Sequence, residues 1–195
     1  MPLPVACIVE GHGDVLALPI LVRRLAALIN PATYIDVQRP DRHSKSTLLR
    51  AGGLESAVEL AVRGLPGLGA VLIVIDSDDD CPKETAPQLL ARAERAAARR
   101  RHVSLVLANR EFESWFIAAA ESVKPGLAAP NSPESIRGAK EWLSKNIFSG
   151  RKYSPTVDQP KLASLFDLDS ARRRAPSFDK MYREIERFCH LAAAT

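Results

Sequence analysis

The chain has 195 residues, 46% hydrophobic and 26% charged, with a net charge of +4 and a pI near 9.1. That length suits one domain, or one domain with a small appendage. Its apolar runs are strand-sized, which excludes a membrane-spanning helix, and its three scattered cysteines (Cys7, Cys81 and Cys189, with no CxxC pair) exclude a disulfide framework or a structural zinc site.

In chain order, VACIVE reads as a buried strand, β-branched and apolar, punctuated by Gly11 and Gly13. From Asp14 the pattern becomes helical, with Leu16, Ile20, Leu21, Leu25 and Leu28 at helical spacing, Asp14 placed to cap, and Pro19 tolerable in the first turns. TYIDVQR (33–39) is a second strand. PDRHSKSTLLRAGG (40–53) is polar and basic and reads as a loop, followed by a short helix over 54–64. AVLIVID (70–76) is the clearest strand of the chain. An alanine- and arginine-rich helix spans 85–101, HVSLVLAN (102–109) is a further strand, and REFESWFIAAAES (110–122) a further helix.

Strands alternating with helices predict an α/β fold: a mainly parallel sheet of about four strands with helices on both faces, over residues 1–122. From 123 the texture changes to KPGLAAPNSPES, then a helix at roughly 134–146 and a last one at roughly 177–192. Residues 123–195 are expected to form a helical appendage on the same core. The N-terminus MPLPVACIVEG lacks a charged region followed by a signal-type apolar core, so a cytoplasmic protein with no membrane partner is expected.

Two apolar strands end in acid. The first ends at Glu10, with Asp14 four residues on. The second runs into DSDDD, where Asp76 and Asp78 share a side if the backbone stays extended. In a parallel sheet the ligand site lies beyond the carboxyl ends of the strands, so these acids are expected to meet on one rim. Hard oxygen donors at such spacing suit Mg²⁺ or Mn²⁺. Taken singly, DSDDD can be a solvated acidic turn and Asp14 a helix cap. Together they would repel strongly, and a divalent cation removes that penalty.

The order apolar strand, Glu-Gly, helix, apolar strand with Asp-x-Asp resembles a TOPRIM domain. VEGHGDVLALPILVRRL resembles the overcoming-lysogenization-defect (OLD) form of it, and ANREFESWFIA resembles that group's third acidic motif. Over nearly its whole length, through VEGHGD, IDSDDD, NREFESWF and YSPTVDQPKLASLFDLDSARRRAPSFDKM, the chain resembles the TOPRIM-like DUF4276 family. The resemblance implies a metal-dependent nuclease acting in defence against phage or mobile DNA. Glu10, Asp76 and Asp78 would be catalytic, and Glu10, Asp14, Asp76, Asp78 and Glu111 or Glu113 would be metal ligands. Glu111 and Glu113 lie about 200° apart on a helix, so only one is expected to face the metal. OLD nucleases usually carry a fused ATPase, but this chain has no GxxxxGK[ST] loop, so any ATPase would be a separate partner.

Arg42 and Lys45 in the first long loop, and Arg92, Arg95 and Arg99 on one helical face, are candidates for holding DNA or RNA phosphates. Their plainer reading is a solvated surface. Trp115 and Phe116 are expected in the core. Trp142, Phe148 and Tyr153 are expected to pack rather than to stack on bases. The alternative function is a non-catalytic, metal-stabilised subunit binding an ATPase or nucleic acid; self-association is left open. An aspartyl phosphatase ranks last, because its Asp-x-Asp would sit on the first strand.

Overall fold

The computed structural model describes residues 2–98 and 101–194. The run LPVACIV forms β1 (Leu3–Val9) and is buried along its whole length, as a central strand covered on both faces must be. It is followed by α1 (Asp14–Ile29), β2 (Ile35–Val37), β3 (Asp41–Arg42), α2 (Lys45–Leu49), α3 (Gly53–Gly64), β4 (Ala70–Asp76), α4 (Pro82–Ala96) and β5 (His102–Ala108). The helices α5 (Ser114–Ala118), α6 (Ala120–Val123), α7 (Ala139–Asn146), α8 (Pro155–Leu165), α9 (Leu168–Arg174) and α10 (Pro176–Ala193) complete the chain. The fold is α/β, with a parallel sheet in the order β2-β1-β4-β5 and β3 also paired with β1.

The sheet therefore has five strands among the described residues, one more than the sequence predicts. The extra one is β3, inside the stretch read as a loop, and α2 follows it there. Both β3 residues are exposed, and two residues carry no periodic signal. Leu3–Val5 pair with Ile35–Val37, whereas Ile8 and Val9 pair with Asp41 and Arg42. One edge strand is in effect interrupted at Pro40, which has no N–H to give a ladder.

The pleat divides the core in two. Val5, Cys7 and Val9, with Leu72 and Val74, face a large cluster that includes α1, α8 and α10. Ala6 and Ile8, with Val71, Ile73 and Ile75, face α3 and α4. Trp115 and Phe116 are fully buried, and Phe112, Trp115, Phe116, Phe166 and Phe178 form a chain of tilted and edge-on ring contacts. Trp142 and Phe148 pack against the same cluster.

The helices after residue 123 lie on this core: α8 and α10 pack on α1, and α9 on α5. Arg24 of α1 donates to the carbonyls of Ala163 (2.7 Å) and Phe166 (2.9 Å), tying α8's end down. At α8's start, buried Asp158 accepts from Arg151 and from the Ser154 N–H. The helix expected over 110–122 is two short ones broken at Ala119, and that expected at 134–146 is a 3₁₀ turn (Pro133–Ser135) followed by α7. Among the described residues no helix is long and apolar enough to cross a membrane.

Candidate functional site

Both acid-ended strands stop at the same edge of the sheet. Val9 of β1 pairs with Val74 of β4, so Glu10 and Asp76 emerge within two residues of each other in register. Alternation then separates them. Asp76 continues the Ala70, Leu72, Val74 series toward α1, whereas Glu10 continues the Ala6, Ile8 series toward α3. The rim is thus acidic on both faces of the sheet.

On the α1 side, the Asp76 carboxylate accepts from the Phe112 N–H at 2.8 Å. Asp14 and Glu113 lie near it, and their charges add to burial in raising its pKa well above the usual carboxylate range, against the pull of Lys140. Asp14 is the first residue of α1 rather than its cap, which is Gly13. Its carboxylate reaches back to the Gly11 N–H (2.7 Å) and accepts from the Gln159 side chain (2.5 Å). Glu113 is buried, and burial raises its pKa despite Lys140 at 3.2 Å.

Glu111 is drawn elsewhere: it accepts from the Ala139 N–H at the start of α7 (2.9 Å) and from Lys140 (2.7 Å). Burial opposes its ionisation, but those bonds hold its pKa below the usual value. Of the two glutamates, Glu113 is the one whose charge acts on Asp76.

On the α3 side, burial and the charge of Asp78 raise the Glu10 pKa, while Lys45 works against them. Glu10 Oε2 is buried with no hydrogen-bond partner. Lys45 donates to the Ser77 carbonyl (2.8 Å) and Asp78 (2.8 Å) and lies 3.2 Å from Asp80.

The extended Asp76-x-Asp78 arrangement does not form. Asp78 has φ +52° and sits in a turn, its N–H bonded to the carbonyl of Arg110, which has φ +63°. Buried Ser77 joins the two turns, giving its N–H to Ala108 and accepting from the Arg110 N–H. Left-handed backbone at non-glycine residues is strained and clusters at functional sites. Asp79 turns outward to Arg110 and Arg137. Among the described residues no three His, Cys, Asp or Glu side chains converge closely enough to hold a metal ion as they stand.

Of the basic candidates, Arg42 is exposed beside the rim, 3.5 Å from the Glu10 carbonyl. Arg92 is already engaged by both oxygens of Glu55 (2.7 and 2.8 Å) and by the Leu49 and Arg50 carbonyls, so a phosphate would have to compete with a carboxylate. Arg95 is exposed on α4, and Arg99 lies outside the described residues.

Sequence reasoning missed Lys140 and Gln159 and read Tyr153 only as a packing residue; all three come from beyond residue 123. Tyr153 is 4% exposed, packing as expected, with its hydroxyl buried. Burial raises its pKa, and so do the charge of Glu113, a hydrogen bond to the Glu113 carboxylate and the charges of Asp14 and Asp158, which places the hydroxyl against the acidic half-site.

The fold and rim define the class: a parallel α/β protein with a carboxylate-rich edge at the ends of its strands, closed on one side by its C-terminal helices. The chain belongs to the DUF4276 family, described as a domain of unknown function, whose model matches residues 9–186. No curated protein and no solved structure matches it.

Proposed function

We propose that the protein is a Mg²⁺- or Mn²⁺-dependent phosphodiesterase of TOPRIM type, related to the OLD nucleases and acting on DNA or RNA. One observation carries this reading. Carboxylates from the ends of β1 and β4, the start of α1 and the approach to α5 share one rim, where the buried Glu10 Oε2 has no hydrogen-bond partner. A bound cation would satisfy such an orphaned carboxylate oxygen.

The donor set fits a hard cation in chemistry, being all oxygen, though not in its present arrangement. Asp76, Asp14 and Glu113 would hold one ion and Glu10 with Asp78 another. When bound, such an ion supplies charge for the phosphate oxygens and an acidified water. The chain's own part is to fix the acids through the Phe112 N–H, Gly11 N–H and Gln159, and to offer Lys45, Lys140 and Arg42 to phosphate. A role in defence against mobile DNA, with a separate ATPase, follows from the family resemblance and belongs to the same proposal.

A second reading has its own support: Lys45 and Lys140 already neutralise much of the rim, as a non-catalytic subunit would require. Calorimetric titration with Mn²⁺ separates the two. Wild type is expected to bind and Asp76→Ala/Asp78→Ala to lose binding, with nuclease activity lost in parallel. Absence of metal binding and cleavage in the wild type, with nucleic acid present, would select the subunit.

A further inference from the structure

β5 ends the sheet: among the described residues β4 is its one strand neighbour. Its two edges are used differently. The Ala108 carbonyl accepts from the Ser77 N–H on the β4 side, whereas the Asn109 N–H turns away and donates to Ser177 Oγ at 3.1 Å. Alternation therefore points the N–H and C=O groups of Val103, Leu105 and Leu107 away from β4 as well. An open edge of this kind is a template for another strand.

This edge lies in a groove. α4 packs against β5 from one face of the sheet and α10 from the other. Both helices, with Leu105 and Leu107, line a cavity of about 710 Å³. The α4 wall is apolar, with Ala86, Pro87 and Leu90, and the exposed Lys83 stands in that helix's first turn. The α10 wall is cationic, with Lys180 and Arg183. These two hold Glu184 and Asp179 of their own helix, yet their side chains stay 37% and 56% exposed. The acid that lines the cavity, Glu134, is spent on Ser177 and Asn109.

We propose that this groove binds an extended segment of a partner protein, added to the sheet as a strand beside β5, in which apolar residues alternate with acidic ones. Register sets that chemistry. Residues of an added strand that stand beside Leu105 and Leu107 share their face of the sheet and lie against the apolar wall of α4. Those between them face Lys180 and Arg183. Main-chain hydrogen bonds hold such a segment, and the alternate walls select it. Charge opposes a second copy as the occupant: two-fold pairing of β5 with β5 would set Lys180 and Arg183 against their own counterparts. Binding here needs no chemistry at the acidic rim.

The test uses the full chain and a fluorescent peptide of about ten residues, enough for one strand, in which valine alternates with glutamate. Binding is read by anisotropy. Beside it run a peptide with lysine for glutamate, one with the same residues in two blocks, and two forms N-methylated at every valine or at every glutamate. Wild type is expected to bind the alternating glutamate peptide saturably, and the lysine and block peptides at least about 10-fold more weakly. One N-methylated form is expected to lose binding and the other to keep it, because alternate N–H groups of a strand point opposite ways. Bound peptide should slow amide exchange at Val103, Leu105 and Leu107.

Lys83→Glu/Arg183→Glu reverses two charges on exposed helix positions and is expected to invert the preference between the glutamate and lysine peptides. Val103→Pro removes one outward N–H at an edge position and leaves the β4 ladder its donors. It is expected to weaken the glutamate peptide about 10-fold. Melting curves check that both variants fold, and the charge variant decides alone if the proline variant does not. No saturable binding by wild type up to about 1 mM would overturn the proposal, leaving the cations as guards of an unpaired edge. Equal binding of the block peptide, or of both N-methylated forms, would overturn strand addition. A dimer in sedimentation that Val103→Pro abolishes would overturn the choice of occupant in favour of a second copy.

Discussion

Asp76→Asn is expected to abolish metal-dependent cleavage while making the metal-free protein more stable at pH 8. The two effects have one cause. Asp76 is crowded by burial, Asp14 and Glu113, which raise its pKa well above the usual carboxylate range. A carboxyl group with a raised folded-state pKa binds its proton more tightly in the folded than in the unfolded chain. Its contribution to stability is fully present below the unfolded value of about 4 and is lost as pH rises through the folded value. Glu10 and Glu113 shift in the same direction. The stability contributed by these three groups should therefore fall as pH rises from about 4 toward neutrality.

Asparagine keeps the oxygen that accepts from the Phe112 N–H and removes the charge. A gain of about 1–3 kcal/mol at pH 8 is expected, vanishing near pH 4. For a chain of this size the gain is several degrees in melting temperature. Mg²⁺ should raise the melting temperature of wild type and not of the variant. Cleavage should fall at least about 10³-fold, the equivalent of several kcal/mol of lost charge stabilisation. Melting curves in chelator and in Mg²⁺, at both pH values, check the stability arm. A variant less stable than wild type at pH 8 would mean that the Asp76 carboxylate is structural.

Much of the scaffold behind this rim was legible because its signals are local. β1, β4 and β5 are apolar runs buried on both faces, and the acids that end β1 and β4 are sequence neighbours of those runs. What was not legible depends on distant partners. Asp14 and Gln159 are 145 residues apart, and nothing around Gln159 marks it as a site residue. α8 hides itself in another way. PTVDQPKLASL has two prolines and no apolar stripe, and its polar Asp158 and Gln159 are buried while Val157 is exposed. The period that reveals an amphipathic helix is inverted there, because the helix uses polar side chains to hold its own start and Asp14. The Asp78 turn did leave a signal. Three consecutive aspartates after a strand favour a turn, and Asp tolerates the left-handed region better than most residues.

Gly13→Ala tests whether α8 is seated on the rim as tightly as this geometry requires. Gly13 has ordinary helical dihedrals, φ −69° and ψ −35°, so its need for glycine is steric, not conformational. A Cβ there would stand 1.9 Å from Gln159 Oε1 and 2.7 Å from the Pro155 carbonyl oxygen. Gln159 is 1% exposed and bonded to Asp14, so it has no route to solvent, and the carbonyl belongs to the backbone of α8. The alanine must push α8 away from α1 or break the Asp14–Gln159 bond.

Overpacking of this kind costs about 1–3 kcal/mol. The same shift would loosen Asp14, so metal affinity and stability should fall together. Gly13→Ala/Gln159→Ala removes the nearer clash and should recover part of the stability without restoring metal affinity, because Asp14 still lacks its partner. Urea titration and Mn²⁺ calorimetry on the single and double variants read the two quantities separately. A single variant within about 0.5 kcal/mol of wild type would show that α8 does not close on the VEGHGD turn. Lost stability with unchanged metal affinity would show that the close contact serves folding alone, and would remove Gln159 and Asp14 from the candidate site.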